Sequence, residues 1–538
     1  MKKKELLVAA CSLFIIGSLT SCFFLGKTII DIGQHEGTTS SSTNFGTDSS
    51  YNATYKTPSY GSNDSKDNIN IQNVGKGFGY NYLPSKGSPS ILVIPIQFSD
   101  DSFTTTELSR LNNTFFGEAS DTGWESVKSF YETSSYGKLS LTGGVSDVVT
   151  LNQTVSELEE SSKNYSSGNY TDVILRAALN ALVSNNFDLS PYDTNNDSYI
   201  DAIWMVYSTN YDSDSDLYWA FTTWTGLDNK YDSKYYASTY SWASIDFATE
   251  GKYLPTNSAS NGDAHTFIHE TGHMMGLDDY YSYDYDGKSN YDTPTGGVDM
   301  MDFNIGDHDA YSKYVLGWST PTIIDEDYLN NHTSTLTLKD FESTGESYLL
   351  PIYKDGSTDY NETAFDEYLL IELYTPTGLN DQDAYTTYTG NLRAYSEPGI
   401  LVFHVNSKLG KLTVSNKSLV WDGATYDKLP ALSDWGNYST YFYIYSNTRS
   451  YCYDTRMCDT KADFYRGRLN SLISATGERI QGRKTGYASN SSLFTSHSSF
   501  GSNGTYSNFV FDDGNKPQYG FEVNSVNETQ ASLTFSDF

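Results

Sequence analysis

The chain is short of positive charge: 34 Lys+Arg stand against 67 Asp+Glu in 538 residues, for a net charge of −33 and a pI near 4.4. That balance excludes a phosphate-backbone partner, because nucleic-acid binders need clustered Lys and Arg to displace counterions. Cysteine is nearly absent, at 4, so a metal site built on thiolates has too few donors. Histidine is rare as well, at 8, which makes any closely spaced pair informative. Apolar runs long enough to span a membrane are missing. Aromatics are plentiful: 15% of residues are Phe, Trp or Tyr, and 46 are Tyr. They supply burial area that a solvated acidic chain lacks, so the acidity does not imply disorder. Length suggests about three domain-sized units at ~150 residues each.

Lys2, Lys3 and Lys4 precede an apolar stretch, Leu6 to Leu19, too short to cross a ~30 Å hydrocarbon core comfortably. It ends in Leu19-Thr20-Ser21-Cys22, which resembles a bacterial lipoprotein lipobox. On that reading residues 1–21 are a signal peptide, and Cys22 is acylated and anchors the protein outside the membrane. An ordinary secretory signal is the plainer alternative. Loss of three lysines and one glutamate with residues 1–21 takes the net charge to −35. Cys11 leaves too, so Cys452 and Cys458 are the only ordinary cysteines. Their spacing permits a small disulfide loop or a reduced pair. Residues 22–75 are Ser/Asn-rich with few spaced apolar residues and read as a flexible tether.

Folding is expected from residue 76. Ile91 to Phe98 is a buried-type strand in which Pro95 signals an edge or irregular pairing. Glu125 to Tyr136 has helical apolar spacing stopped by Gly137, after which Lys138-Leu139-Ser140-Leu141 alternates as a strand. Thr171 can cap a helix that places Ile174, Leu175, Ala178, Leu179 and Leu182 on one face. Beyond Trp318 the patterns are short strands, among them Tyr368–Leu373 and Ile400–Val405. The expected fold class is α+β: a catalytic domain over 76–320, then a β-rich region over 321–538 of one or two sandwich-like units.

The chemistry concentrates at residues 265–281, His-Thr-Phe-Ile-His-Glu-Thr-Gly-His-Met-Met-Gly-Leu-Asp-Asp-Tyr-Tyr. This contains H-E-x-x-H at 269–273. On a helix, i and i+4 share a face, so His269 and His273 can both address one zinc ion, while Glu270 is rotated toward a water beside it. Gly276 can take the positive φ that ends a helix sharply and returns the chain toward the metal. Asp279, ten residues after His269, completes H-E-x-x-H-x-x-G-x-x-D, a metzincin spacing with Asp in place of the third His. Asp278 is the competing ligand. A thermolysin-like ligand set needs a later Glu, and none occurs between Glu270 and Glu326. His265, one turn before His269, is expected at the helix start. Three protein ligands leave one open position, where zinc activates water for Glu270 to deprotonate.

The stretch resembles the immune inhibitor A family of secreted bacterial zinc metallopeptidases, whose helix motif ends in Gly-Leu-x-Asp-x-Tyr, here Gly276 to Tyr281. Leu92 to Asp100, Ser126 to Tyr131, Ser135 to Leu139 and Tyr311 to Trp318 also fit, and Gly297-Val298-Asp299-Met300-Met301-Asp302 resembles the family's Met-turn. The resemblance covers roughly residues 83–405. It implies a metzincin-like catalytic fold, zinc as cofactor, protein or peptide substrates, and Met301 beneath the zinc-binding histidines, with Met300 the alternative. Tyr280, Tyr281, His308 and Tyr311 are near enough in sequence to be considered as oxyanion stabilisers.

Asp193, Asn195, Asp197, the Tyr199 carbonyl and Asp201 occupy positions 1, 3, 5, 7 and 9 of a calcium-loop pattern. Ser198 replaces the turn glycine, and Trp204 stands where a bidentate Glu belongs. A calcium site and a plain Asx-rich turn both remain open. The Tyr-rich region after 320 has no catalytic constellation. A surface adhesin or glycan-binding protein with a structural zinc site is therefore the competing functional class, disfavoured because Glu270 and all three ligands are intact.

Overall fold

The computed structural model describes residues 70–77, 80–165, 170–211, 217–224, 230–251, 262–281, 294–302, 305–386, 395–415, 418–425, 439–443, 446–448, 468–477, 488–502 and 504–538. Cys11, Cys22, Cys452 and Cys458 lie outside them. The fold is α+β. Among the described residues no helix is long and apolar enough to cross a membrane.

The first half is built on strands β1 (Ser90–Gln97), β2 (Thr142–Val145), β3 (Val149–Thr150), β4 (Ala202–Tyr207), β5 (Phe221–Trp224) and β6 (Thr239–Ser244), in the order β2-β1-β4-β6-β5 with β3 also on β1. All pairs are parallel except β5, which runs antiparallel to β6 at the sheet end. Continuous apolar runs in β1 and β4 follow from burial on both faces. β1 is central rather than an edge, but Pro95 does mark an irregularity. Pairing with β2 stops at Val93 and resumes with β3 at Ile96, so the residue lacking an N–H falls in the gap.

Helices α1 (Ile71–Gly77), α2 (Thr105–Phe116), α3 (Val127–Ser134), α4 (Val155–Lys163), α5 (Tyr170–Ser184), α6 (His265–Met274) and α7 (Ala310–Val315) cover this half. Helix α1 begins inside the stretch 22–75 read as tether and runs past its end. Ile71 and Val74 are buried in the main core, so folded structure begins by residue 70, on too few apolar residues to show as a pattern. Thr171 does not cap α5: it sits within the helix, and its hydroxyl lies 2.8 Å from that of Tyr240. The strand expected at 138–141 is displaced to Thr142–Val145, with only an isolated bridge at Leu139.

The second half contains β7 (Thr335–Lys339), β8 (Ser347–Lys354), β9 (Glu367–Tyr374), β10 (Gly399–Asn406), β11 (Asn470–Leu472), β12 (Ser499–Phe500), β13 (Tyr519–Val526) and β14 (Gln530–Asp537). β8-β9-β10-β11 form the spine of one sheet, and β7-β14-β13-β12 form another. Strand alternation divides the first of these between two cores. Leu349, Tyr368, Leu370, Leu401 and Phe403 face the main core, whereas Leu350, Leu369, Ile371, Ile400 and Val402 join Leu338, Val523, Leu533 and Phe535 of the second sheet. The expected boundary at 320 is thus crossed by a single core, and the sandwich shares a face with the first half.

Candidate metal centre

Helix α6 carries the H-E-x-x-H residues. Asp263 Oδ1 accepts the His265 backbone N–H at 3.1 Å, which places His265 at the helix start. Phe267 packs on Phe115 and Trp204 with ring centroids 5.1 Å away, and Trp204 Nε1 donates to Thr271 Oγ1 at 3.3 Å, seating the helix on β4. The helix stops at Gly276, whose φ of +100° no β-carbon would favour. A Cβ there would also lie 2.6 Å from the Tyr82 ring. Leu277 N–H closes back on the Gly272 carbonyl at 3.2 Å, and the reversed chain brings Asp279 under the histidines.

His269 Nε2 and His273 Nε2 converge on Asp279 Oδ1, at 2.9 and 3.3 Å. Donors sharing one zinc at ~2.0–2.1 Å in tetrahedral array stand ~3.3 Å apart, so both histidine–aspartate distances are close to the spacing the ion needs. Their tautomers fit as well. His269 Nδ1 lies 2.9 Å from the Met300 carbonyl and His273 Nδ1 2.8 Å from the Leu277 carbonyl. A carbonyl can only accept, so each Nδ1 carries a proton and Nε2 is the atom left to face a metal; burial opposes charge on both rings, but Asp279 raises them above the ordinary histidine range, so a metal would bind at Nε2 in place of a proton. Asp279 is fully buried, and 13% of the His269 side chain is exposed, so the cluster opens at His269. Burial by itself would raise the Asp279 carboxyl, but the two histidines override it and hold it at about 2. Adjacent Asp278 is pushed by burial to about 6, against a hydrogen bond from Ser446, so the neighbouring aspartates stand in opposite environments.

Glu270 is buried, which raises its carboxyl above the ordinary range while the two histidines pull it down. Thr222 on β5 holds it: the hydroxyl lies 2.8 Å from Glu270 Oε2, to which it donates, and 2.7 Å from Ser241 Oγ. Met301 lies against the helix between the histidines. A Cβ on Gly272 would sit 2.6 Å from Met301 Sδ, so glycine is required there. Met300 contributes its carbonyl instead, to His269. Asp299, fully buried, pins this turn by accepting from Met301 N at 2.6 Å, Asp309 N at 2.7 Å and Ser312 Oγ at 2.9 Å. Two of the oxyanion candidates face this scaffold: Tyr280 Oη pairs with Ser312 Oγ at 2.9 Å, and His308 Nδ1 lies 3.4 Å from Asp299.

No family model matches the chain, and no curated protein does either.

Among the described residues, two groups gather three His, Cys, Asp or Glu donors closely enough for a metal: His269, Glu270 and His273, and Glu367, His404 and Asp512. The second group is committed elsewhere. Glu367 Oε1 accepts from His404 Nε2 at 3.0 Å and from Asp512 N at 2.6 Å, while Lys408 Nζ lies 3.2 Å from Oε2. The expected calcium ligands are not such a group. Asp193 accepts from Asp197 N and Ser198 N, Asn195 from Asp197 N and Asp197 from Tyr199 N, while Asp201 accepts from Ser90 N and Thr194 Oγ1. Without a turn glycine, Asn196 and Ser198 take positive φ and the side chains cap the turn themselves. Trp204 is spent in the core as the seat of α6.

Proposed function

We propose that the protein is a zinc-dependent endopeptidase that hydrolyses peptide bonds of proteins, acting outside the cell and anchored through lipid on Cys22. The observation that carries this reading is the convergence of two histidine Nε2 atoms on one carboxylate oxygen, with a second carboxylate, Glu270, held beside them. The metzincin-like arrangement of helix, glycine reversal and Met-turn supports the same reading.

Bound zinc supplies Lewis acidity that activates water and polarises a peptide carbonyl. The chain does the rest. His269 and His273 would offer Nε2 to the ion, because the Met300 and Leu277 carbonyls accept from Nδ1–H and fix that tautomer. Asp279 adds the third donor and a negative charge. Glu270, oriented by Thr222, takes a proton from the attacking water and returns it to the leaving amine. β5 runs antiparallel at the sheet end beside α6 and, among the described residues, has no strand on its outer side, so an extended substrate can lie there as an added strand.

Purified protein is expected to cleave an unfolded protein substrate, and a chelator is expected to stop it. Glu270→Gln should keep its zinc and lose about 10²–10⁴-fold in kcat, the range for removal of a general acid–base group. Near-normal turnover in that variant would remove Glu270 from the mechanism.

A further inference from the structure

The loop bearing Asp279 is held from a part of the chain about 168 residues away. Ser446 Oγ donates to Asp278 Oδ2 at 2.5 Å. Asn447, fully buried, donates through Nδ2 to the Tyr280 carbonyl at 3.0 Å and to the Asn470 carbonyl at 2.7 Å. Its Oδ1 accepts the Asn470 N–H at 3.1 Å, and Arg468 Nη1 donates to its backbone carbonyl at 2.8 Å. Both amide hydrogens and the amide oxygen of Asn447 are therefore in use. The Tyr280 N–H donates in turn to the Met301 carbonyl at 2.8 Å, so Tyr280, the residue after Asp279, is held by its N–H from the Met-turn and by its carbonyl from Asn447. Asn470 extends the grip by donating to Asp309 Oδ2 at 2.7 Å, within the same network that Asp299 organises.

The three metal donors differ in what fixes them. His269 and His273 stand on a helix packed against the sheet, and their rings are locked by carbonyls. Asp279 stands on a loop past a glycine reversal, where helix geometry no longer constrains it. We propose that Asn447, assisted by Ser446, is a positioning residue that fixes Asp279 for metal binding, so that the C-terminal half completes the zinc centre instead of serving as a separate binding module. The inference rests on the zinc reading above. Groups that orient metal ligands from behind typically affect metal affinity by about 10–100-fold.

The test is metal binding by the full chain, measured by chelator competition with Zn2+ and by the visible spectrum of the Co2+-loaded protein, beside the melting temperature without metal. Asn447→Ala is expected to weaken zinc binding by about 10–100-fold and to alter the cobalt bands. It also leaves buried partners unsatisfied, so Ser446→Ala is the safer companion. That variant should melt as wild type without metal, bind a few-fold more weakly and shift the cobalt bands, and Ser446→Thr should restore both. A merely structural role would lower the melting temperature and leave affinity and spectrum of the folded protein unchanged. Wild-type affinity and spectrum in both alanine variants would overturn the positioning role while leaving the zinc reading intact. A wild-type protein that binds no zinc would overturn both.

Discussion

Two buried histidine–carboxylate clusters among the described residues, one around His269 and one around His404, differ in where the protons and counter-charges lie. At His269, His273 and Asp279, backbone carbonyls hold a proton on each Nδ1 and no lysine stands beside the carboxylate, so both Nε2 atoms turn to Asp279 Oδ1 alone and a divalent ion could replace the protons between them. At Glu367, His404 and Asp512 the histidine is itself the donor to Glu367, a backbone N–H and Lys408 complete the carboxylate's partners, and Phe509 and Phe511 wall in the ring. The residue types are nearly the same. What separates a metal site from a buried ion-pair network is which atoms are already satisfied, a property that composition of the cluster does not reveal.

Breaking the second cluster should damage stability and spare the metal. In Glu367→Gln, Lys408 and His404 lose their buried counter-charge, at a cost of about 3–5 kcal/mol at neutral pH. Zinc content should stay unchanged; loss of zinc would erase the distinction between the clusters. The pH dependence has a definite sign. Burial opposes ionisation of Glu367, but His404 and Lys408 hold its carboxyl below the ordinary range. Its stabilisation is thus fully present above the usual carboxylate pKa and is lost as pH falls through the depressed value. The deficit of the variant, measured by denaturant unfolding, should therefore shrink in acid.

Breaking the first cluster from behind should do the reverse. Thr222→Val removes the hydroxyl that orients Glu270 and should lower kcat about tenfold, the worth of one buried hydrogen bond to a charged group, with zinc content unchanged. An unaltered kcat would mean that Glu270 needs no orienting partner. The smallest effect is expected at the Asp193–Asp201 loop. Its side chains already cap their own turn, so millimolar calcium should move the melting temperature by less than about 1 °C, since a ligand that does not bind the native state cannot stabilise it. A rise of several degrees would reinstate calcium there.

The two clusters also show what can be read from sequence. H-E-x-x-H is legible because a helix turns spacing into a shared face, and Asp279 follows because Gly276 announces the reversal. The α+β class and the strand runs at Ile91–Phe98, Tyr368–Leu373 and Ile400–Val405 are legible for the same reason, local periodicity. Glu367 and His404 lie on neighbouring strands and meet only through the register of β9 and β10, in which Leu369 faces His404 and Glu367 faces Asn406. Thr222 reaches Glu270, and Asn447 reaches Tyr280, through contacts that no local pattern encodes. Asp299 was in view within the Met-turn segment, but its grip on Ser312 and Asp309 is tertiary. Helix α1 hid because Ile71 and Val74 are isolated among polar residues, and Ile71 is buried beside the Gly276 turn, far along the chain.

The most direct measurement is a zinc titration of chelator-stripped protein, followed by cleavage of an unfolded substrate at each point. Activity should be absent without metal and return in proportion to added zinc, reaching its plateau at one equivalent per chain. Full activity in the stripped protein, or a fully loaded protein that cleaves nothing, would contradict the assignment of His269, His273 and Asp279 to a catalytic zinc.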